Sequence, residues 1–501
     1  MSITVIGLGP SGLEYLDEHQ RSALTDPSNR VILRTLRHPA ASALAESRSV
    51  ESCDDLYDRH TDYDELYRSI VDRVVEAASA GPVVYAVPGS AAVGERAVAL
   101  LRSTSAEAGL PIRVLPGLSF LDLVYAAVGV DPIADGLQVV DARTLHDPLP
   151  LHLPTVITQV DSVLRAADVS VALGRVLDPD HPITILDRLG DPDEVVAAST
   201  VGGLATFDAG ARTTVFVEPT DVGLLGLIAT NRILRRECPW DKKQTHHTLL
   251  THLIEEAYEA ADAIIALPMD APEGDADFGA YAEVEEELGD LLLQVVFHAT
   301  LASEAGAFDV DEVAEGIRRK LVARHPHVFG DVEVADAAEV LSNWEDIKRE
   351  EKQRLSLMDD IPAGMPGVAR ALKAQGRANS VGFDWSEPDE VVAVLRAEID
   401  ELAAADDPEA VLHEVGDILF SAVNLARFLR VDPEVALRMS VDRFMARFRA
   451  MEAELAQAGS SMAEASDSEK DAAWQKAKRA ERSLPRESPD QPGSASTLRR
   501  T

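Results

Sequence analysis

Cysteine is almost absent. Only Cys53 and Cys238 occur in 501 residues, far apart, which excludes a disulfide framework and any cysteine-based zinc spacing and fits a reducing compartment. Positive charge is also scarce, with 47 Lys and Arg against 86 Asp and Glu and a formal net charge of -39. A chain this acidic repels phosphate backbones and anionic membrane surfaces, so neither a nucleic-acid polymer nor a membrane is expected as a partner. No apolar run is long enough to span a bilayer, and residues 1–7 lack the basic start and apolar core of a secretory signal. A cytoplasmic protein is expected. Hydrophobic residues nevertheless make up 46% of the chain, and its length exceeds what one core usually supports, so several packed domains are expected.

To about residue 222, short β-branched runs alternate with helical stretches. Thr4-Val5-Ile6 runs into Gly7-Leu-Gly9-Pro-Ser-Gly12, Val83 to Val87 into Pro88-Gly89-Ser90, and Ile112 to Leu115 into Pro116-Gly-Leu-Ser119. Strands that end in Gly/Pro turns and alternate with helices indicate an open α/β sheet with a ligand crevice at the strand C-termini. The runs 154–158, 183–186 and 213–217 continue the pattern as a second α/β lobe.

From Leu224 onward β-rich runs all but disappear and apolar residues recur at helical spacing, as in residues 285–299. Residues 268–274 and 303–308 read as loops, 359–366 as a linker, and the Ser- and Pro-rich tail as disordered. The expected organisation is multidomain: a two-lobed α/β domain over 1–222, all-α units over 227–357 and 362–482, and a tail over 483–501.

The two helical units carry the same order of eight residues: four carboxylates, two cations four apart, then Trp-x-x-x-Lys. The first set is Glu256, Glu259, Glu287, Asp290, Lys320, Arg324, Trp344 and Lys348; the second is Glu398, Glu401, Glu414, Asp417, Arg443, Arg447, Trp474 and Lys478. Carboxylates three apart share a helix face, and two such helices facing one another bring four carboxylates together. An all-oxygen donor set selects a hard cation, magnesium first and manganese as substitute. Cations four apart on a helix suit phosphate oxygens, and Trp-x-x-x-Lys adds an aromatic plane and a further cation. Glu-x-x-Glu alone is ordinary on a solvated helix, and Trp with Lys is ordinary at the edge of a core. The ordered duplication and the apolar runs that follow Asp290 and Asp417 favour the binding site, whose chemistry is that of a phosphate ester or anhydride.

Glu255-Glu-Ala-Tyr-Glu259 with Glu287-Leu-Gly-Asp290, together with Cys238-Pro-Trp-Asp241, Arg324-His-Pro-His-Val-Phe329 and Gly382-Phe-Asp-Trp385, resembles the MazG nucleoside triphosphate pyrophosphohydrolases over about residues 227–482. The resemblance implies magnesium-dependent hydrolysis of a nucleoside triphosphate to the monophosphate and pyrophosphate. Metal ligands would be the four carboxylates of each set, with Glu256, Glu259, Glu398 and Glu401 also catalytic. Lys320, Arg324, Trp344, Lys348, Arg443, Arg447, Trp474 and Lys478 would hold the substrate. The second copy departs from the pattern at Ala397, which stands where the first has Glu255.

The turns at 5–10, 54–57, 84–90 and 115–119 together resemble the tetrapyrrole (corrin/porphyrin) methylases over about residues 1–220. That resemblance implies S-adenosylmethionine bound between two lobes, with Gly7, Gly9, Pro88, Gly89 and Ser119 as candidate contacts. Ser11-Gly12 stands where that family has Gly-Asp, which puts methyl transfer in doubt. A methyltransferase with a helical oligomerisation platform and a non-catalytic nucleotide sensor are the competing readings. Helical units of this kind leave apolar faces uncovered in one chain, so a homodimer is expected.

Overall fold

The computed structural model describes residues 2–483, apart from 61, 147, 269–270, 335, 337–339 and 341–355. Trp344 and Lys348 therefore lie outside the described residues, as does the tail from 484. The chain divides into two compact units, Met1–Glu255 with Gly289–Ala307 and Glu256–Leu288 with Phe308–Thr501.

The first unit opens with five parallel strands, β1 (Ser2–Gly7), β2 (Arg30–Leu33), β3 (Glu51–Ser52), β4 (Pro82–Val87) and β5 (Ile112–Leu115), ordered β3-β2-β4-β1-β5. Helices α1 (Glu18–Thr25), α2 (Pro39–Ser47), α3 (Asp54–Tyr57), α4 (Tyr63–Ala80) and α5 (Arg96–Glu107) connect them. Continuous apolar runs in β1 and β4 fit a sheet covered on both faces, and two separate clusters of buried side chains form there. One contains Ile70, Val74 and Leu101, the other Leu24, Ala41 and Leu44. α4 is set by its N-cap Asp62, whose side chain accepts from the Asp64 and Glu65 N–H groups, and by the inward stripe Leu66, Ile70, Val74 and Ala77.

The second lobe holds α6 (Phe120–Val128), β6 (Gln138–Asp141), β7 (Thr155–Thr158), α7 (Val163–Leu173), β8 (Pro182–Asp187), β9 (Val195–Thr200), α8 (Val201–Leu204) and β10 (Thr214–Val217). Its sheet is mixed, ordered β6-β7-β10-β8-β9; β6 and β7 are parallel and the other pairs antiparallel. The six runs read as strands from sequence are all strands. β2, β3, β6 and β9 escape that reading: β2 and β6 are only four residues, each led by a polar side chain, β3 is two, and Val-Val-Ala-Ala-Ser-Thr has the composition of a helix as much as of an edge strand.

After Val217 the described residues contain helices and no strand: α9 (Gly223–Glu237), α10 (His246–Ala266), α11 (Phe278–Glu304), α12 (Val310–Arg324), α13 (Pro326–Phe329), α14 (Gly367–Asn379), α15 (Pro388–Ala404), α16 (Pro408–Phe428), α17 (Pro433–Gln457) and α18 (Asp467–Ser483). Three begin at an acid-proline pair, Glu387-Pro388, Asp407-Pro408 and Asp432-Pro433. The proline occupies the first turn, where its missing N–H costs nothing, and Asp407 and Asp432 accept from the N–H groups that follow. In the second unit α15 packs along α16, α17 along α18, and α14 against α16. Among the described residues no helix is long and apolar enough to cross a membrane.

Candidate metal and phosphate centre

Glu256 comes from α10, and Glu287 and Asp290, one turn apart, from α11. One carboxylate oxygen from each lies within 4.8 Å of the others. The second copy repeats the device: Glu398 and Glu401 from α15 and Glu414 from α16 gather oxygens within the same 4.8 Å. The helices form because Glu and Leu are good helix formers and the apolar residues on their other faces pack. Glu259 and Asp417 belong to neither group of three. Glu259 is exposed, and Asp417 faces His413 one turn before it, with His413 Nε2 at 3.3 Å from its carboxylate.

Crowding of like charge is legible at the second centre. The Glu398 carboxyl is pushed above its ordinary value by loss of solvent and by the charges of Asp417, Glu401 and Glu414, with His413 opposing. Carboxylates so gathered repel one another until a cation joins them, and three or four oxygens with no sulfur or nitrogen donor suit magnesium or manganese. The residues present therefore fit a hard divalent ion at both centres.

The cations are placed less uniformly. Lys320 and Arg324 end α12, Lys320 exposed and Arg324 half-buried. Arg443 donates to Ser440 at 2.7 Å on its own helix, α17. Arg447 lies over the Trp474 ring, 5.9 Å from its centroid, and Phe444 meets the same ring at 5.5 Å. Trp474 also packs against the buried group Met451, Leu455, Ala465 and Ala473, so it is a core residue that also supports Arg447. Lys478, one turn after Trp474, is half-buried.

Sequence reasoning passed over two arginines that pin the signature turns. Arg235 donates to the Asp241 carbonyl and, at 3.2 Å, to that of Gln244, and pairs with Glu304 at 2.8 Å. In the second copy Arg427 holds Asp384 with two hydrogen bonds. His246 and His298 stack their rings at 5.1 Å, with Nδ1 to Nδ1 at 2.8 Å. Their separation in sequence, 52 residues on two helices, left no local signal.

In the α/β lobes the candidate cofactor contacts meet one another. Gly9 and Gly89 exchange both backbone hydrogen bonds, at 3.0 and 2.8 Å, so their N–H groups are used within the chain. A Cβ on Gly7 would stand 2.0 Å from the Pro116 carbonyl oxygen, so that glycine is required by close packing of strand ends. Pro88 sits half-buried between β4 and Gly89. Ser119 caps α6, accepting from the Leu121 N–H at 3.2 Å while its own N–H donates to Asp122 at 2.9 Å. Ser11, at the departure from the methylase pattern, donates to Asp191 of the second lobe, which also pairs with Arg212. Loss of solvent pushes His38 down to about 4, so its imidazole is neutral where it meets the Gly9 carbonyl at 3.1 Å.

Fold and site together define a two-part protein: an α/β domain of two sheets, and a duplicated helical region that gathers carboxylates at two centres. Family models match both parts, the tetrapyrrole (corrin/porphyrin) methylases over residues 2–205 and the MazG nucleotide pyrophosphohydrolase domain over residues 244–329. The chain is 37% identical over 497 residues to the uncharacterized protein YabN of Bacillus subtilis, covering 96% of this chain and 99% of that one. It is 43% identical over 243 residues to the nucleoside triphosphate pyrophosphohydrolase/pyrophosphatase MazG of Thermotoga maritima, covering 48% of this chain and 89% of the relative. Against the nucleoside triphosphate pyrophosphohydrolase of Escherichia coli K12 the identity is 40% over 266 residues, covering 52% and 97%. The chain belongs to the MazG family, with a tetrapyrrole methylase-like domain at its N-terminal end.

Proposed function

We propose that the helical region hydrolyses nucleoside triphosphates to the monophosphate and pyrophosphate with magnesium, as a clearance activity on the nucleotide pool. The observation that carries this reading is the pair of carboxylate triads, Glu256/Glu287/Asp290 and Glu398/Glu401/Glu414, each built across two helices within 4.8 Å. When bound, magnesium neutralises phosphate oxygens and makes water a better nucleophile. The carboxylates hold and orient the bound groups, and an oxygen left over from them, on Glu259 or Glu401, takes the proton of the attacking water. The α–β anhydride P–O bond breaks, and the hydroxyl of the water ends on the attacked phosphorus. Lys320 and Arg324 at the first centre, and Arg443, Arg447 and Lys478 at the second, neutralise charge on phosphate oxygens as the anhydride opens. The Trp474 ring supports the Arg447 guanidinium from one side.

The chain acts as a cytoplasmic homodimer in this reading. Leu412, Leu419 and Leu437, each more than half exposed, give the helical region an apolar surface suited to a second copy. A strictly monomeric mass in solution would remove that part. S-adenosylmethionine is the ligand to test on the α/β domain, by calorimetric titration; heat of binding would show that the domain keeps a ligand although the N–H groups of Gly9, Gly89 and Ser119 are satisfied within the chain. The hydrolase reading is tested by incubating the full chain with each of the common nucleoside triphosphates, with magnesium and then with excess chelator. Magnesium-dependent release of pyrophosphate is expected. Orthophosphate as the sole inorganic product would overturn it.

A further inference from the structure

Along α11, four and eight residues after the ligand Asp290, stand Gln294 and His298. Steps of four keep side chains on one side of a helix, and each step climbs about 6 Å, so both lie beyond the carboxylate end by the span of a sugar and a base. Gln294 is 7% exposed, and its Oε1 is buried with no hydrogen-bond partner among the described residues. The Nε2 of His298 is likewise buried and unpartnered among them. His298 spends its other nitrogen on His246, Nδ1 to Nδ1 at 2.8 Å. Loss of solvent, and then His246, hold the His298 imidazole below its ordinary value, and the Nδ1–Nδ1 hydrogen bond places one proton between the two rings. Whichever ring carries it, the Nε2 of His298 remains a donor or an acceptor seeking a partner. Buried polar atoms are ordinarily paired, and two unpaired on one side of one helix leading away from a metal ligand call for a polar ligand.

The second copy lacks these two side chains; its buried amide, Gln375, comes from another helix and donates to the Phe420 carbonyl at 2.9 Å. In the repeat alignment Gln294 corresponds to Ser421 and His298 to Leu425, so the carboxylates are duplicated while these polar groups are not.

We propose that Gln294 and His298, with His246 behind His298, form a base-recognising subsite of the first repeat. This rests on the nucleoside triphosphate reading above. The Gln294 amide presents a planar donor and acceptor, the pattern that matches a nucleobase edge, and His298 supplies a third hydrogen bond. The two repeats then divide the work, the first discriminating among bases and the second accepting them all.

The test is direct binding, with magnesium, of non-hydrolysable α,β-methylene analogues of ATP, GTP, CTP and UTP and of inorganic tripolyphosphate, which has no base. The full chain is used in a Glu401→Ala/Glu414→Ala background, so that only the first centre is read. Gln294→Leu, which removes an unpaired buried acceptor and so spares folding, and His298→Asn are each expected to weaken at least one base analogue about tenfold relative to the others, with tripolyphosphate unchanged. Equal weakening of every ligand including tripolyphosphate would make the residues structural and overturn the proposal. So would unchanged affinity for all four analogues, or no binding in that background. Failure of the unsubstituted chain to bind any nucleotide analogue would instead remove the pyrophosphohydrolase reading itself.

Discussion

Arg438 of the second helical repeat pairs with Asp262 of the first, Nη1 to Oδ1 at 2.6 Å, and its guanidinium lies over the Tyr258 ring at 4.5 Å. Both partners stand on α10, the helix that carries Glu256 and Glu259. A contact between copies thus bears on the helix that supplies the first centre. Arg438 is mostly buried and Asp262 mostly exposed, so the ion pair contributes little by itself and the ring contact adds to it. Arg438→Ala is expected to cost about 1 kcal/mol, read as a shift in the denaturation midpoint of the helical signal; Arg438→Lys should recover only part. An unchanged midpoint would show that the copies do not support one another here.

The two centres make separable demands. Glu287→Ala disables the first and Glu414→Ala the second, and each single variant reports what the other copy does. The double variant is expected to lose at least about a hundredfold in turnover, because no complete carboxylate group remains. Near wild-type turnover in the double variant would place the chemistry elsewhere. Ala397, the departure in the second copy, is outside its triad, so Ala397→Glu is expected to leave turnover within about twofold.

Proton and cation compete at the second centre. A carboxyl held above its ordinary value favours the protonated fold, so the stability that Glu398 contributes is present below 4.5 and is lost as pH rises through its raised value. A divalent cation replaces the lost proton. Magnesium should therefore raise the melting temperature of the helical region more at pH 8 than at pH 5. Asp417→Asn, which removes the carboxylate that acts most strongly on Glu398, should shrink that difference. A magnesium effect independent of pH would contradict this picture.

The α/β domain carries a titration of its own. Burial pushes Glu95 up to about 7, against the pull of Arg34, whose guanidinium donates to it and to Tyr57. The stability that protonation of Glu95 contributes is complete below 4.5 and is lost as pH rises through about 7. The domain should therefore lose about 1–3 kcal/mol between pH 5 and pH 8 from this group, and Glu95→Gln should flatten the slope. Equal slopes in both proteins would show that Arg34 keeps the carboxylate ionised throughout.

Much of this was legible in the sequence because periodicity and order carry it. The strands at Thr4, Val83 and Ile112 follow from β-branched runs ending in Gly/Pro turns and those at Ile183 and Thr214 from such runs alone, while the spacing of Glu256, Glu287 and Asp290, which lie in one group of three, repeats at Glu398 and Glu414. Glu259 and Asp417 share the three-residue spacing but stand outside the groups of three within 4.8 Å; Asp417 pairs with His413 and still acts on Glu398 through its charge. Gly9 and Gly89 show what spacing leaves open, since a turn that can present N–H groups to a ligand can equally present them to another turn, as these two do. Contacts made across long separations, Arg438 with Asp262, Arg427 with Asp384 and His246 with His298, leave no trace in local pattern at all.

The most direct test of the central claim is product analysis by ion-exchange chromatography after incubating the full chain with ATP and magnesium, alongside the Glu287→Ala/Glu414→Ala variant. AMP and pyrophosphate are predicted in equal amounts from the wild-type chain, and neither from the variant. ADP and orthophosphate from the wild-type chain, or AMP and pyrophosphate at undiminished rate from the variant, would contradict it.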